Sequence, residues 1–116
     1  MLFFRLFGCM AGKGRSWEMI VYLAGPITGV KNYKEIFNEA EEKLTAAGYI
    51  VINPATLPAD MPPEKYMPIC LSMLEASDAI VLMPGYDRSR GACLEQLYAD
   101  YQQKLIISYK SIVNHS

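Results

Sequence analysis

The residues best suited to chemistry lie in residues 84–95, a polar loop that joins an apolar run to a helical segment. The apolar run, residues 79–83, predicts a strand, and the spacing after the loop predicts a helix that begins near Gly91. This order places Ser89 and the Gly91 amide at a helix N-terminus, where free N–H groups and the helix dipole favour an anion. Glu95 follows one turn later. A carboxylate beside a phosphate-sized anion site suggests glycosidic chemistry on a nucleotide.

Short apolar runs alternate with helical stretches from Met19 onward. Strands are predicted over residues 20–24, 49–52, 79–83 and 105–109. Helices are predicted over residues 33–47, from residue 63 or 64 onward, and over residues 91–103. This alternation predicts a three-layer, doubly wound α/β sandwich with a four-stranded or five-stranded parallel sheet of the flavodoxin or Rossmann type. Right-handed crossovers make 2-1-3-4 the expected strand order.

That strand order brings two polar loops together. The order reverses between the first and third strands, and ligands in such sheets bind at the carboxyl ends of the strands that flank the reversal. The loops in that position are residues 25–29 and residues 84–91. The glycines at positions 25 and 29 would let the first loop approach a phosphate closely. The topology therefore predicts one site shared by both loops.

The helices carry apolar positions that indicate their buried faces. Asn32 is a predicted N-cap of the first helix, and Gly48 is predicted to follow its last turn. Pro68 lies inside the second helix and predicts a late start or a bend there. The faces predicted to be buried comprise Met67, Cys70, Leu71 and Leu74 in the second helix and Leu94, Leu97, Tyr98 and Tyr101 in the third.

The composition describes one ordinary globular domain. The chain has 116 residues, a hydrophobic fraction of 52% and a formal net charge of −1, with no basic excess to indicate a nucleic-acid polymer as partner. Three cysteines without paired spacing predict a reducing cytoplasm, and a single histidine, His115 in the tail, argues against a metal site. Residues 1–18 are predicted to be a flexible extension or the product of an upstream start codon, so that the domain spans residues 19–116. Their apolar run is too short to span a membrane.

An ordered set of short motifs resembles the nucleoside 2-deoxyribosyltransferase-like superfamily. The motifs are Tyr-Leu-Ala-Gly-Pro-Ile-Thr-Gly at residues 22–29, Asn-Pro at 53–54, Ser-Asp-Ala-Ile at 77–80, and Ser-x-Gly-x-x-x-Glu at 89–95. The chain is most similar to the small DUF4406 branch, which phages and prophages often carry. The resemblance covers about residues 19–109 and leaves out the N-terminal extension.

The resemblance implies roles for particular residues. Glu95 matches the glutamate that attacks the anomeric carbon of the sugar, and Tyr22 matches a tyrosine that contacts this carboxylate. From the residues alone, Glu95 also reads as an acid placed favourably near a helix N-terminus, and Tyr22 as a core aromatic. Ser89 matches the serine of nucleotide N-glycosidases, where the nucleoside transferases carry an acid. The implied phosphate site comprises Gly25, Pro26, Ile27, Gly29, Ser89, Arg88 and Gly91, with Arg90 as an alternative cation.

The predicted function is cleavage of the N-glycosidic bond of a nucleoside 5′-monophosphate, by hydrolysis or transfer, without a metal or organic cofactor. Met61 and Tyr66 are candidates for contact with the base. Two alternatives remain: a nucleoside 2-deoxyribosyltransferase in the strict sense, and a binding or sensing module without catalysis. Cys70 favours the latter, because active members carry a sugar-binding aspartate there. The resemblance also implies a homodimer or higher homo-oligomer, to which Tyr98, Tyr101 and Tyr109 could contribute, whereas Asp78 reads as a structural turn residue.

Overall fold

A computed structural model of the chain describes residues 19–114, so the predictions for residues 1–18 and for His115 lie outside the described residues. The strands are β1 Ile20–Ala24, β2 Ile50–Ile52, β3 Ala79–Leu82 and β4 Leu105–Ser108. The helices are α1 Tyr33–Ala46, α2 Pro63–Glu75, α3 Arg90–Tyr101 and the short α4 Tyr109–Val113, with single 3₁₀ turns at Pro54–Thr56 and Tyr86–Arg88. No helix in this part of the chain has the length and apolar character needed to cross a bilayer.

The four strands form one parallel sheet in the order β2-β1-β3-β4, which confirms the predicted topology. The two central strands are nearly continuous apolar runs, as expected of strands covered on both faces. Tyr22 stands in the middle of β1, paired with Ile52 of β2 and with Ile80 of β3. Asp78 closes the opposite end of the sheet, where its Oδ2 accepts a hydrogen bond from the Ile20 N–H at 3.0 Å.

Alternation along β1 divides the core into two clusters, one on each face of the sheet. Val21 and Leu23 pack with Phe37 and Leu44 of α1 on one face. Tyr22 and Ala24 face the other way, into a cluster that includes Leu74 of α2 with Ala92 and Ala99 of α3. This second cluster positions the candidate site, because it places a tyrosine hydroxyl under α3.

The ends of the helices follow local rules that the sequence carries. α1 ends in a Schellman arrangement, since the Gly48 N–H bonds to the Thr45 carbonyl and the Tyr49 N–H bonds to the Leu44 carbonyl. Gly48 adopts a φ of 103°, which a residue with a side chain rarely accepts. Asn32 holds the N-cap position of α1 without a side-chain cap bond. α2 begins at Pro63, as predicted, and continues through Pro68, so the alternative of a late start at Pro68 was wrong.

The buried face of α3 differs from the predicted one. Ala92, Glu95 and Ala99 are buried, whereas Leu94 is 45% exposed, Leu97 67% and Tyr101 84%. The inward positions are occupied by two alanines and a carboxylate, which let the helix lie close to the sheet. The spacing of apolar residues predicted the wrong face of α3, because a glutamate is not expected to be a core residue. The predicted homo-oligomer stays a prediction, with this exposed stripe as a surface that it could use.

Candidate functional site

A groove of about 1250 Å³ opens at the carboxyl ends of β1 and β3, where the strand order reverses. Three segments surround it: the β1–α1 loop, the β3–α3 loop with the start of α3, and the segment from residue 59 through the first turns of α2. The structure brings all the residues predicted for the site to this groove: Tyr22, Gly25, Pro26, Ile27, Gly29, Arg88, Ser89, Gly91 and Glu95.

Glu95 lies at the floor of the groove, in the second turn of α3. Its side chain is 6% exposed, and its Oε2 accepts a hydrogen bond from the Tyr22 hydroxyl at 2.7 Å. Tyr22 is fully buried, so the core fixes the donor that holds the carboxylate. The geometry removes the reading of Glu95 as an ordinary first-turn acid, because the carboxylate is buried beyond the first turn and faces the sheet.

Burial sets the protonation behaviour of this cluster. Desolvation raises the pKa of Glu95 to about 7, against hydrogen bonds from Tyr22 and Cys70 that lower it. The pKa of Tyr22 is raised far above its ordinary value, chiefly by desolvation and then by the nearby Glu95 charge. The Tyr22 proton therefore stays on the phenol, and Glu95 changes charge near neutral pH.

Cys70 completes the cluster at the bottom of the groove. Its side chain is 4% exposed, and the thiol interacts with both the Tyr22 hydroxyl and the Glu95 carboxylate. Desolvation raises the pKa of the thiol, so Cys70 is a neutral neighbour of the carboxylate. Both side chains that contact Glu95 are thus neutral hydrogen-bonding groups.

The N-terminus of α3 opens toward the groove beside Glu95. Ser89 is the N-cap, and its Oγ accepts a hydrogen bond from the Ala92 N–H at 3.1 Å. The N–H groups of Arg90 and Gly91 have no acceptor within the helix, because they belong to its first turn. The hydroxyl hydrogen of Ser89 and these two N–H groups can be donated to a bound anion.

The two glycines of the β1–α1 loop serve different ends. A Cβ on Gly25 would lie 2.8 Å from the Met83 Cβ, so this glycine is needed for close packing against the end of β3. The sequence analysis predicted that Gly25 allows the loop to approach a phosphate. Its packing against Met83 is by itself a sufficient reason for a glycine at this position. Gly29 has a φ of 82° and follows Thr28 in a turn closed by the Val30 N–H and the Ile27 carbonyl. Positive φ at this third position requires glycine.

Three cations border the mouth of the groove: Lys31, Arg88 and Arg90. The Arg88 guanidinium lies beside Gly85, and the Pro26 ring of the β1–α1 loop also approaches this glycine. Within residues 19–114 none of the three forms an ion pair. Arg88 and Arg90 flank the α3 N-terminus with one carboxylate, Asp87, beside them, so this part of the rim has a net positive charge that suits an anion.

The α2 side of the groove is apolar and aromatic. Met61 and Tyr66, both predicted for the base, line it together with Met67 and Tyr33. The Tyr66 hydroxyl donates to the Pro58 carbonyl and also interacts with Tyr33, which ties α2 to the preceding loop. A flat ring could lie against this wall, since Tyr and Met side chains both pack well on aromatic surfaces.

Sequence reasoning missed Lys31 and Tyr33 as residues of the groove. Tyr33 is the first residue of α1, and this position brings its ring to the groove. Lys31 stands between the predicted turn at residues 25–29 and the predicted helix, a place that the topology itself directs to the carboxyl end of β1. The topology was thus a sufficient signal for Lys31.

The residues of the groove do not suggest a metal centre. In the part of the chain that the structure describes, no group of three or more potential ligating side chains (His, Cys, Asp or Glu) is close enough to hold an ion. What the groove offers instead is a buried carboxylate, a helix N-terminus with free N–H donors and an apolar wall. This combination can bind a molecule that has an anionic end and a flat end, with its middle over Glu95.

The fold is of the deoxyribosyltransferase type. A 2-desoxiribosyltransferase from Leishmania mexicana is similar in structure, with a TM-score of 0.62 and 21% sequence identity, over 78% of this chain and 63% of that chain. The described domain therefore corresponds to less than two thirds of that enzyme's length. A search of curated protein sequences found no match.

Sequence similarity shows the family to which the chain belongs. Residues 19–108 match the family described as "Domain of unknown function (DUF4406)", and the chain belongs to that family. This match confirms the predicted DUF4406 branch, and the shared fold agrees with the predicted resemblance to the nucleoside 2-deoxyribosyltransferase-like superfamily.

Proposed function

We propose that this protein cleaves the N-glycosidic bond of a nucleoside 5′-monophosphate, with Glu95 as the nucleophile. The observation that carries the proposal is the buried Glu95 carboxylate, held by Tyr22 at 2.7 Å on the floor of a groove whose rim is a cationic helix N-terminus. A buried carboxylate whose pKa lies near neutrality is costly to keep for stability alone. Its position beside an anion site gives it a chemical use.

In the first step, a Glu95 oxygen attacks C1′ of the sugar from the face opposite the base. The bond between C1′ and the base nitrogen breaks, and its electron pair leaves with the base. In the second step, water attacks C1′, the glycosyl–carboxylate bond breaks, and Glu95 is regenerated. A second base in place of water would make the same intermediate a transferase intermediate.

Tyr22 is the positioning residue in this scheme. Its hydrogen bond fixes one carboxylate oxygen and stabilises the ionised form against the desolvation that raises the Glu95 pKa. The other oxygen remains for the attack on C1′. Because Tyr22 is buried in the sheet, the carboxylate is held without a loop that would have to close over it.

The phosphate end of the substrate is assigned to Ser89, Gly91 and Arg88. The α3 N-terminus supplies N–H donors, and the guanidinium supplies charge. Gly29, Pro26 and Ile27 form the opposite wall of this end. An acid at position 89 would repel a phosphate, so the serine favours a nucleotide over a free nucleoside.

The test is release of free base from purified ribo- and deoxyribonucleoside 5′-monophosphates, measured by chromatography. The parent protein should release base from at least one nucleotide, and Glu95→Gln should be slower by about a thousandfold or more, as expected for loss of a nucleophile. Glu42→Gln is the matched control, because it makes the same chemical change at an exposed position on α1. Release that is equal in parent and Glu95→Gln would refute the proposal.

A second candidate function is binding of a nucleotide without turnover, which Cys70 in the carboxylate cluster favours. In that case no base is released, while one nucleotide raises the melting temperature of both parent and Glu95→Gln. Exchange of bases between two nucleosides, without hydrolysis of nucleotides, would identify the strict transferase. Each outcome thus assigns the groove to one of the three activities.

A further inference from the structure

The charges around Glu95 support an inference about the base of the substrate. This inference rests on the proposed function. Glu95 is buried, and Tyr22 and Cys70, which hydrogen-bond to its carboxylate, are both neutral. Lys31, Arg88 and Arg90 lie at the rim, and among residues 19–114 no cation forms an ion pair with Glu95. A buried anion that is held only by neutral donors is favourably placed to receive a cation from its ligand.

The part of a nucleotide that comes nearest to this carboxylate is the glycosidic centre. A nucleophile that attacks C1′ lies within a few ångströms of C1′ and of the nitrogen bonded to it. If that nitrogen belongs to a positively charged ring, its charge compensates the Glu95 carboxylate. The Tyr66 ring and the Met61 side chain line the wall assigned to the base, and aromatic and sulfur-containing walls accommodate flat cations.

The chemistry of the leaving group also favours a positively charged base. When the C1′–N bond breaks, its electron pair passes to the base nitrogen, so a neutral base becomes an anion unless an acid protonates it. A ring with a quaternary nitrogen leaves as a neutral molecule and needs no proton. Glu95 cannot supply that proton in the first step, because attack requires its ionised form.

We propose that the substrate is a nucleoside 5′-phosphate whose base is a positively charged heteroaromatic ring, such as an N-substituted pyridinium or a 7-alkylated purine. Glu95 attacks C1′, the C1′–N bond breaks, and the electron pair neutralises the ring. Water then attacks C1′ and frees the carboxylate. The balance is one cationic-base nucleotide and one water giving the neutral base, the sugar phosphate and one proton.

The experiment compares two pairs of nucleotides, each pair with the same sugar phosphate and with one cationic and one neutral ring. The pairs are nicotinamide mononucleotide with its neutral dihydro form, and 7-methylguanosine 5′-monophosphate with guanosine 5′-monophosphate. Because general acid catalysis contributes on the order of a hundredfold or more, kcat/KM should favour the cationic member of each pair by at least about that factor. Background release is measured with Glu95→Gln, since cationic glycosides also decompose without an enzyme.

A binding measurement separates ring charge from intrinsic reactivity. Calorimetry on Glu95→Gln and on the parent under conditions of slow turnover should show that the parent binds the cationic member of each pair about tenfold more tightly or better. The preference should disappear in Glu95→Gln, and Glu42→Gln should retain it. A preference that persists in Glu95→Gln would overturn the assignment of the ring charge to this carboxylate.

The outcomes keep this inference distinct from the proposed function. Glu95-dependent cleavage of neutral and cationic members at similar rates would overturn the inference and leave the glycosidase standing. Cleavage of the cationic members alone, with the binding preference lost in Glu95→Gln, supports both. No Glu95-dependent release from any of the four nucleotides or from the ordinary monophosphates would refute the proposed function, and the inference with it.

Discussion

Replacing Glu95 by glutamine should stabilise the protein at alkaline pH, because the carboxylate is kept at a cost to folding. The pKa of Glu95 is about 7 in the folded protein against an ordinary value of 4.5. Since the folded pKa is the higher one, the folded protein binds more protons than the unfolded chain between these values. The free energy of unfolding therefore falls as pH rises from 4.5 to 7, and the loss is complete above that window.

The size of the effect follows from the same two values. Each pKa unit corresponds to about 1.4 kcal/mol, so the difference amounts to about 3 kcal/mol at pH 8. Glutamine has nearly the same shape and can still accept the Tyr22 hydrogen bond, but it carries no charge. We expect Glu95→Gln to exceed the parent by up to about 3 kcal/mol at pH 8 and to match it near pH 4.5.

The assay is urea unfolding followed by far-ultraviolet circular dichroism, on both proteins, from pH 4.5 to pH 9. Glu42→Gln serves as the control, because its exposed position on α1 predicts no pH-dependent difference from the parent. Equal stability of parent and Glu95→Gln at pH 8 would refute the reasoning. A gain of the same size at both ends of the pH range would also refute it, since a packing effect does not titrate.

Four further substitutions, at three positions, test other parts of the site. Tyr22→Phe removes the bond that lowers the Glu95 pKa, so the rising limb of the pH–activity profile for base release should move about one pH unit to the alkaline side; an unchanged profile would contradict this. Gly25→Ala should lower the free energy of unfolding in urea by about 1–3 kcal/mol, because the new Cβ would lie 2.8 Å from the Met83 Cβ; an unaltered urea midpoint would show that the loop adjusts freely. Ser89→Asp keeps the helix cap and adds a negative charge, so its stability should match the parent while calorimetry shows about tenfold weaker binding of a nucleoside 5′-monophosphate. Ser89→Ala, which loses the cap, should instead cost about 1 kcal/mol in the same unfolding assay.

The fold was predictable because each element carries its own signal. Alternating apolar runs and helical stretches were enough for the strand order, and Gly48 marked the end of α1 through its left-handed backbone. The order of the strands in turn predicted which loops meet. The convergence of the two polar loops on one groove therefore needed no knowledge of side-chain contacts.

Features that depend on tertiary packing could not be predicted from the sequence. The spacing of Leu94 and Leu97 predicted a buried stripe on α3, because periodicity counts apolar residues and gives no weight to a glutamate that is buried for another reason. Gly25 likewise carries a packing constraint that appears only once Met83 lies beside it. The neutral surroundings of Glu95 come from residues far apart in the chain, so no local pattern could show them.

The hydrogen bond from Tyr22 makes the Glu95 carboxylate part of the cooperative folding unit. Tyr22 lies between β2 and β3, and a shift of β1 by one residue would turn Val21 or Leu23 toward α3 in its place. A form of the protein with β1 detached or misregistered therefore contains no assembled site. We expect the amide protons around Tyr22 to exchange with solvent only through global unfolding, so that loss of activity and loss of slow exchange coincide. New specificity in this fold would accordingly have to arise in the rim loops, because the floor of the groove is the core itself.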